Sequence, residues 1–290
     1  MINSQITKAE LFSTLRKRWD GFANPQAVIS DLARFFPEFA ALEVGTLDPT
    51  WGKRLKQQMN RLHEMGAPSS IYPFVFNLFD AMRRGEGDED QTCDALELVE
   101  GFLFRRAICG YEPTGLHAVF KGLWKEASTN GFPTKQSISL AISSRTTVPW
   151  PDDVEFAANI RSGNLYDRNV KKFALLEYER SAKGESPADD FEVEHILPQT
   201  PNEHWIDIFG EAYKTVVNTW ANLIPITRSM NPAVGQQDYS SKKNAYKNSI
   251  FATTRDVGQS WPEWDPAAVA DRASALSDWA IGRWPNQKSL

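Results

Sequence analysis

Cysteine is nearly absent: Cys93 and Cys109 are the only two in 290 residues. That is too few for a disulfide framework or a Cys-x-x-Cys zinc site, so both are expected as buried, reduced thiols on helices. Long apolar runs are missing as well. Nothing approaches the ~18 consecutive apolar residues that cross a bilayer, and the N-terminus carries no signal-peptide core. The expectation is a protein of the cytoplasm with no membrane partner. An excess of basic residues is also lacking. A net charge of −5 excludes a protein that coats nucleic acid through charge alone. There is no internal repeat, no low-complexity tract and no P-loop.

What remains is the composition of a folded chain, 41% hydrophobic with ten tryptophans, long enough for roughly two structural units. The first half reads as successive helices. "NPQAVISDLARFF" offers Asn24 as N-cap, Pro25 at the first helical position, and Val28, Leu32, Phe35 and Phe36 at helical spacing. "DPTWGKRLKQQMNRL" repeats the device with Asp48 and Pro49, followed by Trp51, Leu55 and Leu62. "SSIYPFVFNLFDAMRR" predicts a buried helix entered near Pro73, and "GEGDEDQ" an exposed acidic loop. "CDALELVEGFLFRRAICG" places Leu96, Val99, Leu103 and Ala107 on one stripe and stops at Gly110. Further helices are expected at 114–127, 134–144, 154–160 and 169–180, with a Pro-rich joint near residue 150 and a polar linker at 181–190.

Beyond the linker the pattern changes. "FEVEHIL" and "NLIPIT" have strand character, and "EHWIDIFGEAYKTVVNTW" between them reads as a helical insertion. "SKKNAYKNSIF" reads as a helix, and the last helix is capped by Asp265 and Pro266. The expected fold is mainly α: a helical unit over 1–150, then 151–290 with a strand-strand-helix finger at about 191–250. Charge is uneven along the chain. Residues 86–100 hold seven acids and no base, whereas the stretch from Ala221 to Ser260 holds Arg228, Lys242, Lys243, Lys247 and Arg255 against only Asp238 and Asp256.

A strand ending in Glu194-His195, a strand starting at Asn222, Asn231 in "SMNP", and Lys242 and Lys243 opening the next helix would converge in a ββα unit. That set suits metal-assisted phosphodiester hydrolysis. An imidazole takes a proton from water near neutral pH without extreme tuning. A hard cation needs oxygen ligands with open positions for phosphate, where it stabilises developing charge. A hydrogen-bonding partner must also fix the ring's tautomer.

"VEHILPQ", "ANLIPIT", "SMN" and "SSKKNAY" resemble the HNH (His-Me finger) nuclease domain at the C-terminus of GmrSD-type restriction enzymes. "FLFRRAICGYEPTGLHAVF" and "WPDDVEFAANIRSGNLYDRNVKKFALLEYER" resemble the helical segments that precede that nuclease. The likeness runs from about residue 90 to the C-terminus. It implies His195 as general base, Asn222 as the residue that orients it, Glu194 and Asn231 as metal ligands, and Lys242 and Lys243 as DNA phosphate contacts. It implies Mg²⁺ or Mn²⁺ as cofactor and DNA as substrate; one His-Asn-Asn set per chain supplies one attacking water, which predicts nicking one strand at a time. It also implies defence against phage as the effector half of a pair. The partner would be a ParB-like nucleotide-hydrolysing domain in cis or trans, since its Asp-Gly-Gln-Gln-Arg motif does not occur here. The sequence departs from the family at Ala221, where glycine is usual, and at Pro225 inside the second strand, which predicts an edge or bulged strand. The other reading of the same residues is a module that grips DNA or a partner without cutting.

The remaining candidates have structural readings. His63, His117 and Tyr246 are expected to pack helices, and Trp261, Trp264, Trp279 and Trp284 to build the C-terminal core. His204 lies nine residues after His195 and could line its site. Arg105 and Arg106 follow an apolar face, the place for contacts between helices or units.

Overall fold

Caps and apolar stripes start most helices where local chemistry puts them. The computed structural model describes residues 8–21, 24–183, 191–230 and 234–288. Helix α1 is Lys8–Asp20, and α2, Pro25–Ala33, is capped by the Asn24 side chain. The face of α2 stays open: Leu32 is 62% exposed, and Phe36, opening α3 (Phe36–Val44), is 65% exposed. The second predicted start is displaced. Asp48 accepts from the amide and hydroxyl of Thr50, forming a local turn, and α4 begins only at Lys53–Glu64.

Helix α5, Tyr72–Arg83, enters at Pro73 and buries Phe74, Val75, Leu78 and Phe79. The acidic loop is shorter than expected. Asp88 and Gln91 close a capping box, so α6 runs from Glu89 to Ile108. Helix α6 is buried on nearly every side and ends before Gly110, whose φ of 78° suits glycine. Arg54 meets Asp90, Asp94 and Glu97, which balances much of the acidic run. Helices α7 (Leu116–Ala127), α8 (Lys135–Ser143), α9 (Asp153–Ser162) and α10 (Lys171–Lys183) follow close to their predicted places. The linker prediction falls partly outside the described residues, at 184–190.

Strand β1 (Glu192–His195) pairs antiparallel with β2 (Leu223–Ile226), and Val193 stands opposite Pro225 in an unbroken register. Pro225 is thus tolerated on an edge, without a bulge. Its carbonyl accepts from the Thr254 hydroxyl at 2.5 Å. Between the strands lie α11 (Glu203–Phe209) and α12 (Tyr213–Val216). After them come α13 (Tyr239–Tyr246), α14 (Ala252–Ser260) and α15 (Pro266–Arg283), the last capped by Asp265.

One continuous apolar cluster runs from Ala41 to Trp284. Arg105 on α6 explains part of that continuity: it is fully buried and donates to the carbonyls of Pro151 and Trp284 and to Asp153. The Trp284 indole returns a hydrogen bond to Glu100, which also holds Arg283. Both cysteines are free thiols, and burial pushes them up, Cys93 to about 11 and Cys109 to about 12. His63 packs structurally, its Nδ1 2.9 Å from the Leu42 carbonyl, while His117 is exposed.

Candidate active site

Successive side chains of a strand point to opposite faces, so β1 sends Glu194 one way and His195 the other. The contacts follow that rule. His195 is 8% exposed, its Nε2 lies 3.1 Å from Asn218 Oδ1, and its ring meets Tyr166 edge to face with centroids 4.5 Å apart. Asn218 and Tyr166 come from distant segments joined beside the imidazole. Residues Asn164 and Thr219 form an antiparallel bridge, and the Tyr166 amide donates to the Asn218 carbonyl at 3.2 Å. Lys171 places its ammonium 5.0 Å from the Tyr166 ring, adding a cation to the same neighbourhood.

Burial lowers the imidazole pKa, with the Asn218 hydrogen bond acting in the other direction and the Lys242 charge adding to the fall. The ring is therefore neutral near pH 7. With Nε2–H donating to the Asn218 amide oxygen, Nδ1 carries the lone pair and is the nitrogen that can accept a proton. That is the electronic state a general base requires.

Glu194 faces the other way, into α13. Its Oε1 accepts from Lys242 Nζ at 2.7 Å and from the Tyr246 hydroxyl at 3.0 Å. Lys242 and Tyr246 are fully buried, and Glu194 is 7% exposed. The ammonium also donates to the His195 carbonyl at 2.8 Å, tying the end of β1 to the helix. Burial pushes the carboxyl up and the ammonium down, and their attraction works against both shifts. An ammonium with no exposed surface cannot meet a phosphate while this pair is closed. Lys243 is only half-buried, and its Nζ donates to the Pro262 carbonyl at 3.0 Å.

Asn222 is fully buried and braces the backbone around the histidine. Its Oδ1 accepts from the Leu197 amide at 2.8 Å and the Trp264 indole at 3.2 Å. Its Nδ2 donates to the carbonyls of Leu197 and Val217, at 2.9 and 2.8 Å. The Ile196 amide donates to the Asn222 carbonyl at 3.0 Å. Asn222 thus holds the turn leaving His195, and the side chain touching the ring is Asn218. Arg272, 2% exposed, clamps the segment entering β2 around Asn222 by donating to the carbonyls of Trp220, Ala221 and Leu223. Asn231 lies outside the described residues. His204 is exposed and meets Trp205, and Trp264 and Trp284 are buried in the core as expected.

The structure therefore gathers His195, Asn218, Tyr166 and Lys171 on one side of the small sheet, and Glu194, Lys242 and Tyr246 on the other. Sequence reasoning missed Asn218 and Tyr166. Their signal is three-dimensional, since they meet His195 only through the Asn164–Thr219 bridge.

No curated protein matches the chain. Residues 150–279, which hold this arrangement on both faces of the sheet, match the family model of GmrSD restriction endonucleases, C-terminal domain, and the resemblance carried by the motifs holds for that segment.

Proposed function

We propose that the chain is a DNA endonuclease of the HNH type, the nicking effector of a restriction system directed against phage. The observation that carries this reading is the neutral His195, held at Nε2 by Asn218 and left with Nδ1 as acceptor, inside the family-matched segment. In the proposed reaction, Nδ1 takes a proton from water as the water oxygen forms its bond to phosphorus and the P–O bond to the leaving strand breaks. Asn218 keeps the tautomer, Asn222 fixes the turn after the histidine, and Tyr166 shields one side of the ring. Lys171 and Lys243 are the cations proposed to meet DNA phosphates; Lys242 serves instead to hold Glu194. With a net charge of −5, affinity is expected to be weak and to fall steeply with salt.

A divalent cation belongs to this reading, but the described residues do not fit it as drawn from sequence. Glu194 is taken by Lys242 and lies across the sheet from His195. Among the described residues no group of three His, Cys, Asp or Glu could hold a metal. The pairing of Glu194 with Lys242 is the observation that favours the second reading, a module that binds DNA or a partner without cutting.

Chelation separates the two. With Mg²⁺ or Mn²⁺, supercoiled plasmid is expected to pass to open circles before linear DNA appears, because one histidine activates one water. Excess EDTA should stop the reaction and leave the melting temperature unchanged, since a continuous apolar cluster carries the fold. Absence of cutting with either cation would support the binding module, and undiminished cutting in EDTA would rule out metal dependence. Addition of GTP should leave the rate unchanged, since the sequence has no P-loop.

Asn218 is testable as a positioning residue through the pH profile. Asn218→Asp puts a negative charge 3.1 Å from Nε2, which favours the imidazolium and raises the histidine pKa by about 1 unit or more. The acid limb of the rate profile should move to higher pH by that amount, with the plateau rate less affected. An unmoved limb would separate Asn218 from the titration of the base.

A further inference from the structure

A cavity of about 220 Å³ lies between the turn after α4, the C-terminal end of α6 and the 167–170 segment. One ordered water needs only ~10–15 Å³ of such space, so the cavity is large enough for a small organic molecule. Met65, Pro68, Leu103 and Leu116 give it an apolar wall. Two arginines stand in the same wall. Arg106 is 3% exposed; its Nη1 donates to the Pro149 carbonyl and its Nη2 to that of Glu112, at 2.5 and 2.9 Å. Its Nε–H is buried with no acceptor.

Arg168 repeats the pattern from another segment. Its Nε is also buried without an acceptor, and its guanidinium lies against Gly110, where an added Cβ would fall 2.4 Å from Nη2. Among the described residues, neither guanidinium forms an ion pair with a carboxylate. Asp167 shares the lining, but its carboxylate accepts from Asn164 Nδ2 at 2.7 Å. A buried donor left without an acceptor is costly, and a buried cation more so. Two such groups from separate elements at one cavity point to a missing anionic acceptor.

We propose that this cavity binds a small phosphomonoester with an apolar or flat body, its oxygens accepting from Nε of Arg106 and Arg168. Two unpaired guanidinium charges suit a dianion, which a phosphomonoester is above its second pKa near ~6. The apolar wall accommodates the body that inorganic phosphate lacks. Arg168 lies two residues from Tyr166, and its amide donates to the Leu165 carbonyl at 2.9 Å. Occupancy would therefore steady the loop that seats Tyr166 on His195. The site does not depend on the nuclease reading, and binding is measured without cutting.

Isothermal titration calorimetry on the full chain tests it, using phenyl phosphate, inorganic phosphate and benzyl alcohol. Phenyl phosphate is expected to bind at least tenfold more tightly than inorganic phosphate, and benzyl alcohol to give no saturable heat. Arg168→Met should weaken phenyl phosphate at least tenfold. Ala107→Leu, which fills the cavity from a half-buried helical position, should abolish binding while melting within a few degrees of the parent. Equal affinity for phenyl phosphate and inorganic phosphate, no heat with phenyl phosphate, or unchanged binding to both variants would overturn the proposal.

Discussion

Lys242→Met is expected to destabilise the protein by about 3–5 kcal/mol at neutral pH, the range for removing one partner of a buried ion pair. The residue's charge is the reason, since methionine preserves most of its apolar length. Without the ammonium, Oε1 of Glu194 keeps the Tyr246 hydroxyl but no cation, and the His195 carbonyl loses the Lys242 donor. Burial already raises the Glu194 pKa, and Lys242 is the largest influence holding it down. In the variant the carboxyl therefore rises further above its unfolded value. A carboxyl raised on folding binds more protons in the native state, so the stability it contributes is full below its unfolded pKa. That contribution is lost as pH rises through the folded pKa. The deficit should be smaller at pH 5 than at pH 8 in urea melts. Glu194→Leu combined with Lys242→Met should recover much of the loss, because an apolar pair can replace a buried ionic one. A single variant as stable as the parent at both pH values would show that the pair contributes nothing.

His195→Ala is the other large effect, and it falls on rate. General-base removal typically costs ~10²–10⁴-fold. The fold should survive: among the described residues the ring's one side-chain hydrogen bond is to Asn218, itself half-exposed, and the brace around His195 is made by Asn222 and Lys242 through backbone groups. The expected pattern is a melting temperature within a few degrees of the parent and a cleavage rate lower by at least a hundredfold. A proportionate loss of both would instead describe an unfolded variant.

Much of the helical framework was legible because it is written locally. Asn24 with Pro25 and Asp265 with Pro266 each place a cap beside an apolar stripe, and each starts a helix there. The Asp48–Pro49 pair resembled them, yet Asp48 bonds to Thr50 and the helix waits until Lys53. Helix α14 had no such signal. Its cap comes from Glu179 on α10, which accepts from the amides of Ala252 and Thr253 at 2.6 and 2.8 Å. The two strands and their order were legible from apolar runs and Pro225. The pairing of His195 with Asn218 was not, because it needs the bridge that brings residues 164 and 219 together. The period of two along β1 could have separated Glu194 from His195 without coordinates. Adjacent residues on a strand cannot both face one site unless the backbone turns between them.

The most direct measurement is a time course of supercoiled plasmid with Mg²⁺, comparing the parent chain and His195→Ala at equal concentration, each verified as folded by its melt. Open circles are expected to accumulate with the parent ahead of any linear DNA, at a rate at least a hundredfold above that of the variant. Nicking by His195→Ala within about threefold of the parent would contradict the role of His195 as general base.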